Sequence, residues 1–152
     1  MVVTCALESF IISAFQYTEG ECVKAKTCLN IAAVTGFTGV AFGAFGAHGL
    51  KGLIDPELMA AYQTGVLYHL VHAVVLLALS AWLFVRPASW IKRSAFMMTL
   101  GLILFSGSLY AMALTGERTL GVITPFGGVA WLIAWSFLIL AAFRLPESEP
   151  ES

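Results

Sequence analysis

Along this chain four runs of apolar and small residues, each without an Asp, Glu, Lys or Arg, are separated by short charged breaks: residues 27–50, 58–85, 94–116 and 119–143. As a helix, each run is long enough to cross the ~30 Å hydrocarbon core of a bilayer. The pattern therefore predicts an all-α, polytopic membrane protein with four transmembrane helices in a compact bundle. The second helix has a marked start, because Asp55-Pro56-Glu57 supplies an acidic N-cap, a proline at the first helical position and an acid in the first turn. A helix over residues 56–85 would be about 45 Å long, more than the core is thick, so it must tilt, bend or begin on the surface. Gly65 is the natural bend point.

Small residues recur in the first run at steps of mainly three and four: Ala32, Gly36, Gly39, Gly43, Gly46 and Ala47. They line one helical face. Lipid tails are as apolar as leucine, so helices associate in membranes through close backbone approach, which Gly and Ala permit. Gly39-x-x-x-Gly43-x-x-x-Ala47 is a packing signal of this kind, and Gly101, Gly107, Gly121, Gly127 and Gly128 predict further close contacts in the third and fourth spans.

Composition agrees with the pattern. Of 152 residues, 59% are hydrophobic and 11% charged, and the mean hydropathy of +0.88 lies outside the range of soluble domains. Tails and loops are too short to bury a core of their own, so no separate catalytic domain is expected. A net charge of −1, without a basic patch, excludes nucleic acid as a partner. The charges also orient the bundle. Lys24, Lys26, Arg86, Lys92, Arg93 and Arg144 fall at one end of the spans, against Lys51 and Arg118 at the other, and the positive-inside rule then places both termini in the cytoplasm.

Three segments follow: residues 1–28, an N-terminal extension; 29–145, the four-helix domain; and 146–152, a solvated, disordered acidic tail. The stretch 6–17 contains Glu8, has no basic residue before it and is too short to span. It reads either as a segment lying on the membrane surface or as sequence upstream of the true start, with translation beginning at Val23 and Lys24-Ala25-Lys26-Thr27 forming a short cytoplasmic leader. Cys5, Cys22 and Cys28 all fall in or beside this extension. With no cysteine expected in the bundle, a disulfide framework, a thiolate metal site and a nucleophilic cysteine are disfavoured.

Candidate chemistry is confined to one depth. The spans lack the buried acids and bases that mark ion pathways and proton relays. His69 and His72 lie three apart on one face of the second span, together with Tyr62, Gly65 and Leu76, and His48 ends the first. Ser106, Ser108 and Tyr110 of the third span and Thr124, Pro125, Gly127 and Gly128 of the fourth are expected at the same level. Pro125 removes a backbone donor, and a helix broken in this way faces protein or a water-lined cavity. In one reading the histidines and serines bridge helices while the glycines and proline shape a tight seam. In another, His48, His69 and His72 bind a metal, a haem or a polar headgroup in a pocket open to the outer face. No nucleophile with a base, phosphate loop or carboxylate pair points to an enzyme, and no cofactor is called for.

Four stretches carry a resemblance: Gly43-Ala44-Phe45-Gly46-Ala47-His48-Gly49-Leu50, Tyr68-His69-Leu70-Val71-His72-Ala73, Phe105-Ser106-Gly107-Ser108-Leu109-Tyr110 and Thr124-Pro125-Phe126-Gly127-Gly128. In this order they resemble the uncharacterised membrane family known as domain of unknown function 423, over residues 29–145. The resemblance implies a small four-helix protein of the bacterial cytoplasmic (inner) membrane that begins just before its first span, and brings no activity or substrate with it. The residues here most typical of the family are Gly43, Gly46, His48, His72, Ser106, Gly107, Ser108, Tyr110, Pro125 and Gly127.

The sequence thus leads to a non-enzymatic integral membrane protein whose partners are the lipid bilayer and either further copies of itself or a larger membrane complex. A small-ligand or metal-binding protein using the outer-half cluster is the alternative, and a channel or transporter the third.

Overall fold

The computed structural model describes the backbone of residues 2–86 and 88–144 and the side chains of residues 24–86 and 88–144. Among these residues four α-helices and one 3₁₀ turn follow in order: α1 (Val2–His48), α2 (Pro56–Val85), α3 (Ser89–Thr115), the 3₁₀ turn (Arg118–Val122) and α4 (Thr124–Arg144). Among the described residues, four stretches are long and apolar enough to cross a membrane: Lys24–His48, Pro56–Val85, Ser89–Thr115 and Arg118–Arg144. The acidic tail lies outside the described residues, as do the side chains of the segment before Lys24, on which the expected start at Val23 bears.

Helix ends follow from local chemistry. Asp55 Oδ1 accepts a hydrogen bond from the Glu57 backbone N–H at 2.8 Å, and Pro56 occupies the first helical position, where a missing N–H costs nothing. At the other end of α3, Gly116 takes a left-handed conformation (φ 74°) and its N–H returns to the Met112 carbonyl, a helix stop that a side chain would strain. Helix α2 is unbroken through Gly65. This glycine marks a close approach, since a Cβ there would lie 3.1 Å from the Tyr110 ring.

Pro125 corrects an expectation. It does not break a span but sits second in α4, within the first turn that proline tolerates, after the 3₁₀ turn has carried the chain back into the bundle. The 21 residues of α4 still rise about 32 Å, enough for the hydrocarbon core.

The helices pack in chain order, α1 along α2, α2 along α3 and α3 along α4. Among the described residues, α1 does not run along α3 or α4 as it does along α2, and it meets α3 through the Phe42 and Tyr110 rings, 4.7 Å apart. The contacts mix small or polar residues, among them Ala25, Cys28, Ala32, Ala73, Ala95, Ala130, Ala134, Ser94 and Ser106, with large core side chains such as Leu76, Leu83, Met98 and Trp131, while Phe37, Val74, Phe96, Leu132 and Phe143 are exposed. The small residues let the helices approach closely around the larger ones, and the exposed apolar side chains suit a surface solvated by lipid. Cys28 is a second correction, because it lies in the core with Ala25 and Ala32 and its thiol donates to the Leu76 carbonyl at 3.8 Å. Helical packing against α2 thus begins before residue 29. At the opposite end, Arg118 and Glu57 form an exposed ion pair of 2.7 Å that ties the 3₁₀ turn to the start of α2.

Candidate functional site

Helix α2 runs between its neighbours and presents Tyr62, Gly65, His69, His72 and Leu76 as one buried stripe. Residues three and four apart share a helical face, yet the sixty-degree offset between His69 and His72 is enough to send them to different partners.

His69 joins three helices. Its Nε2 lies 3.3 Å from Thr38 Oγ1 of α1 and its Nδ1 3.1 Å from the Tyr110 hydroxyl of α3. The Thr38 hydroxyl also lies 2.8 Å from the Val34 carbonyl and 3.1 Å from the Thr35 carbonyl. Beside Tyr110, the fully buried Tyr62 donates to the Phe42 carbonyl at 2.7 Å, and the two tyrosine rings lie 5.0 Å apart. Glycines make room for these groups. A Cβ at Gly39 would lie 3.3 Å from the His69 ring and 2.8 Å from Leu70, and one at Gly46 would lie 2.5 Å from Tyr62. Gly43 meets Val66 of α2. Three of the predicted packing glycines therefore serve contacts within the chain.

His72 faces the other way. Its Nδ1–H donates to the Tyr68 carbonyl at 2.8 Å, and its ring stacks on Trp131 of α4 with centroids 3.6 Å apart. Trp131 donates Nε1–H to the Met98 carbonyl at 3.1 Å, and Tyr68 and Phe105 complete the aromatic group at 5.4 and 4.7 Å from the indole. The indole lies directly over Gly101, and Gly127 lets α4 approach the backbone of Phe105.

The remaining predicted residues divide. Ser108 donates to the Phe105 carbonyl at 2.9 Å and accepts from the Thr124 hydroxyl at 2.8 Å, joining α3 to α4. Ser94, which the sequence did not single out, does the same through the Ala134 carbonyl at 2.9 Å. Ser106 is fully buried, and its Oγ has no hydrogen-bond partner. His48 is exposed at the end of α1 and does not join His69 and His72, and Pro125 is exposed at the start of α4. Gly36, Gly107 and Gly128, read as packing positions, would meet nothing within 4 Å if given a Cβ, and Ala47 is exposed; these positions lie off the faces that the other helices of this chain cover.

Chemically, the site is a set of helix-bridging hydrogen bonds. Among the described residues no group of three His, Cys, Asp or Glu side chains is placed to hold a metal ion. The Ser108 and Tyr62 hydroxyls donate to carbonyls, whereas those of Thr38 and Tyr110 face the two ring nitrogens of His69. Sequence reading missed Thr38, Ser94 and Phe42, although Thr38 adjoins the glycine stripe and could have been found as the polar residue nearest that face.

Outside the membrane, the Glu117 carboxylate caps the 3₁₀ turn by accepting from the Thr119 backbone N–H at 3.2 Å and hydroxyl at 2.9 Å, which holds its pKa below the usual carboxylate value.

Comparison with known proteins gives one consistent result. Residues 42–128 match the family model described as a protein of unknown function, DUF423. The chain is similar to an inner membrane protein of Escherichia coli, YgdD (40% identity, covering 77% of this chain and 89% of that protein). It is also similar to the membrane protein YwdK of Bacillus subtilis (39%, covering 78% and 98%) and to a membrane protein of Haemophilus influenzae (36%, covering 76% and 93%). No solved structure matches it significantly.

Proposed function

The chain belongs to the DUF423 family of membrane proteins, and on that premise we propose that it is a non-enzymatic helix bundle of the bacterial inner membrane that works by lateral association with a second copy of itself. The observation that carries this reading is a shallow groove of about 340 Å³ between α1 and α2. Its floor is small, with Ala32, Ala33, Gly36 and Ala73, and its walls are Val40, Leu70, Val74 and Leu77. Gly39, Gly43 and Gly46 are filled by α2, whereas Gly36 on the same helix is open. A helix of a second copy seated there gains close van der Waals contact over small residues, the principal source of association between helices in lipid. A two-fold arrangement makes the same patch serve both partners.

Charge distribution supports an orientation with both termini in the cytoplasm. Successive antiparallel helices bring Lys24, Lys26, Arg86, Lys92, Arg93 and Arg144 to one end and leave Lys51 and the Glu57-paired Arg118 at the other.

The test is crosslinking in native membranes, with Gly36→Leu as the variant. Because nothing lies within 4 Å of a Cβ at Gly36, this substitution is expected to abolish a dimer crosslink while the monomer unfolds at an unchanged temperature. A wild-type protein that crosslinks only to a different protein, or to none, overturns self-association.

A further inference from the structure

Asn30 of α1 is exposed, and its amide makes no hydrogen bond among the described residues. It lies inside the apolar span Lys24–His48, about 9 Å along the helix from Lys24. Around it Leu29, Ile31 and Val34 are large apolar side chains that also face outward. A lysine at this level carries its charge to the headgroups on a long stem, whereas asparagine has a single methylene and leaves its amide in the hydrocarbon. An amide there has no water to bond, and a partner on another helix is what satisfies it.

In steps of three and four from Asn30, Ala33, Phe37, Val40, Ala44 and Ala47 follow on one side of α1, and all are exposed. This is the seven-residue repeat by which two helices cross at a shallow left-handed angle. The alanines on it permit close approach. It also borders the groove beside Gly36, since Ala33 and Val40 belong to both.

We infer that the helix of the second copy filling this groove is its α1, with Asn30 of one chain hydrogen-bonded to Asn30 of the other. The assignment rests on the self-association proposed above and names its contact line. Two copies inserted in the same direction are related by a two-fold axis along the membrane normal, so the α1 helices run parallel and each residue meets its own counterpart. Asparagine opposite asparagine is self-complementary, because each amide donates through its N–H and accepts through its C=O. A slip along the helix would leave both amides unpaired, so this one polar position sets the register, as a single asparagine does in an otherwise apolar coiled coil.

The monomer–dimer equilibrium of the full chain in bicelles, followed by energy transfer between labelled copies, reads the contribution of the amide pair. Asn30→Leu is expected to raise the dimer dissociation constant about tenfold, and Asn30→Gln, which keeps an amide, to change it about threefold or less. The side chain meets no other helix of its own chain, so Asn30→Leu is expected to leave the unfolding temperature of the monomer unchanged. Disulfide formation in native membranes reads the contact line. With Cys5, Cys22 and Cys28 replaced by alanine, Ala33→Cys is expected to link two chains on mild oxidation, while Val34→Cys, equally exposed but about 100° further round the helix, does not. A dimer that Gly36→Leu disrupts and Asn30→Leu leaves at wild-type strength overturns the amide pair and leaves self-association standing. Linkage through Val34→Cys as efficient as through Ala33→Cys, or linkage through neither in a chain that dimerises, overturns the choice of α1. A monomeric wild type overturns both readings together.

Discussion

The imidazole of His72 lies parallel to the indole of Trp131, with centroids 3.6 Å apart and planes 5° from coincidence. The two residues come from α2 and α4, and the stack passes beside α3, to which Trp131 is tied by its hydrogen bond to the Met98 carbonyl. Three helices thus meet at one ring system. Both His72 and Trp131 are buried, at 5% exposure each, so the histidine that sequence spacing offered as a ligand serves to register α4 against α2. His69 does the corresponding work for α1 and α3 through Thr38 and Tyr110.

Substitution at Trp131 separates the hydrogen bond from the packing. Trp131→Phe removes the Nε1–H donor to Met98 and is expected to cost about 0.6–1.5 kcal/mol, the range for interhelical hydrogen bonds in membranes and for hydrogen bonds generally. Trp131→Ala also empties the space over Gly101 and is expected to cost about 3–5 kcal/mol. Unfolding in mild detergent or bicelles measures both, and equal losses would place the stabilisation in the hydrogen bond alone.

Two glycines of α1 are expected to behave oppositely. A Cβ at Gly46 would sit 2.5 Å from the ring of Tyr62, which is fully buried and held by its hydrogen bond to Phe42, so Gly46→Ala should cost about 1–3 kcal/mol. Gly36→Ala meets no atom within 4 Å and replaces a helical glycine, so it should be neutral or stabilise by up to about 1 kcal/mol. Melting temperatures of the two variants, side by side, test whether close packing or chain entropy dominates at each position.

Among the described residues, Ser106 is the buried polar side chain without a partner. Its hydroxyl has lost lipid-exposed or aqueous surroundings without gaining a hydrogen bond, a cost of about 1–3 kcal/mol. Ser106→Ala is therefore expected to stabilise the bundle by about 1 kcal/mol, whereas Ser108→Ala, which severs the link to Thr124, should destabilise it. Thermal unfolding of the two variants decides the matter, and a destabilised Ser106→Ala would show that this hydroxyl has acquired a partner in the membrane.

The four spans were legible because the bilayer leaves a chain few choices. With no water to satisfy peptide groups, a run of about twenty apolar residues must be helical, and the charges that end each run mark its boundaries. Asp55 and Pro56 were readable for the same local reason. Pro125 was misread because its place in the helix depends on the preceding 3₁₀ turn, which after Arg118 continues into the apolar run and leaves no hydropathy signal of where it ends. Cys28 was misread because it stands beside a charged segment, while its burial is set by how far α1 follows α2.

Length, hydropathy and charge thus determined by themselves that this is a four-span membrane protein, and the resemblance of four short stretches placed it in its family. Which face of each helix turns inward was decided only in three dimensions. The spans are apolar on every side, and lipid and protein interior are alike in polarity, so no hydrophobic gradient along the sequence points to a partner. What selects a face is the fit of Gly39, Gly46 and Gly65 beneath His69, Tyr62 and Tyr110, and of Gly101 beneath Trp131, a complementarity between helices far apart in the chain. The same geometry separated His69 from His72 and left Gly36 open at the surface of the bundle.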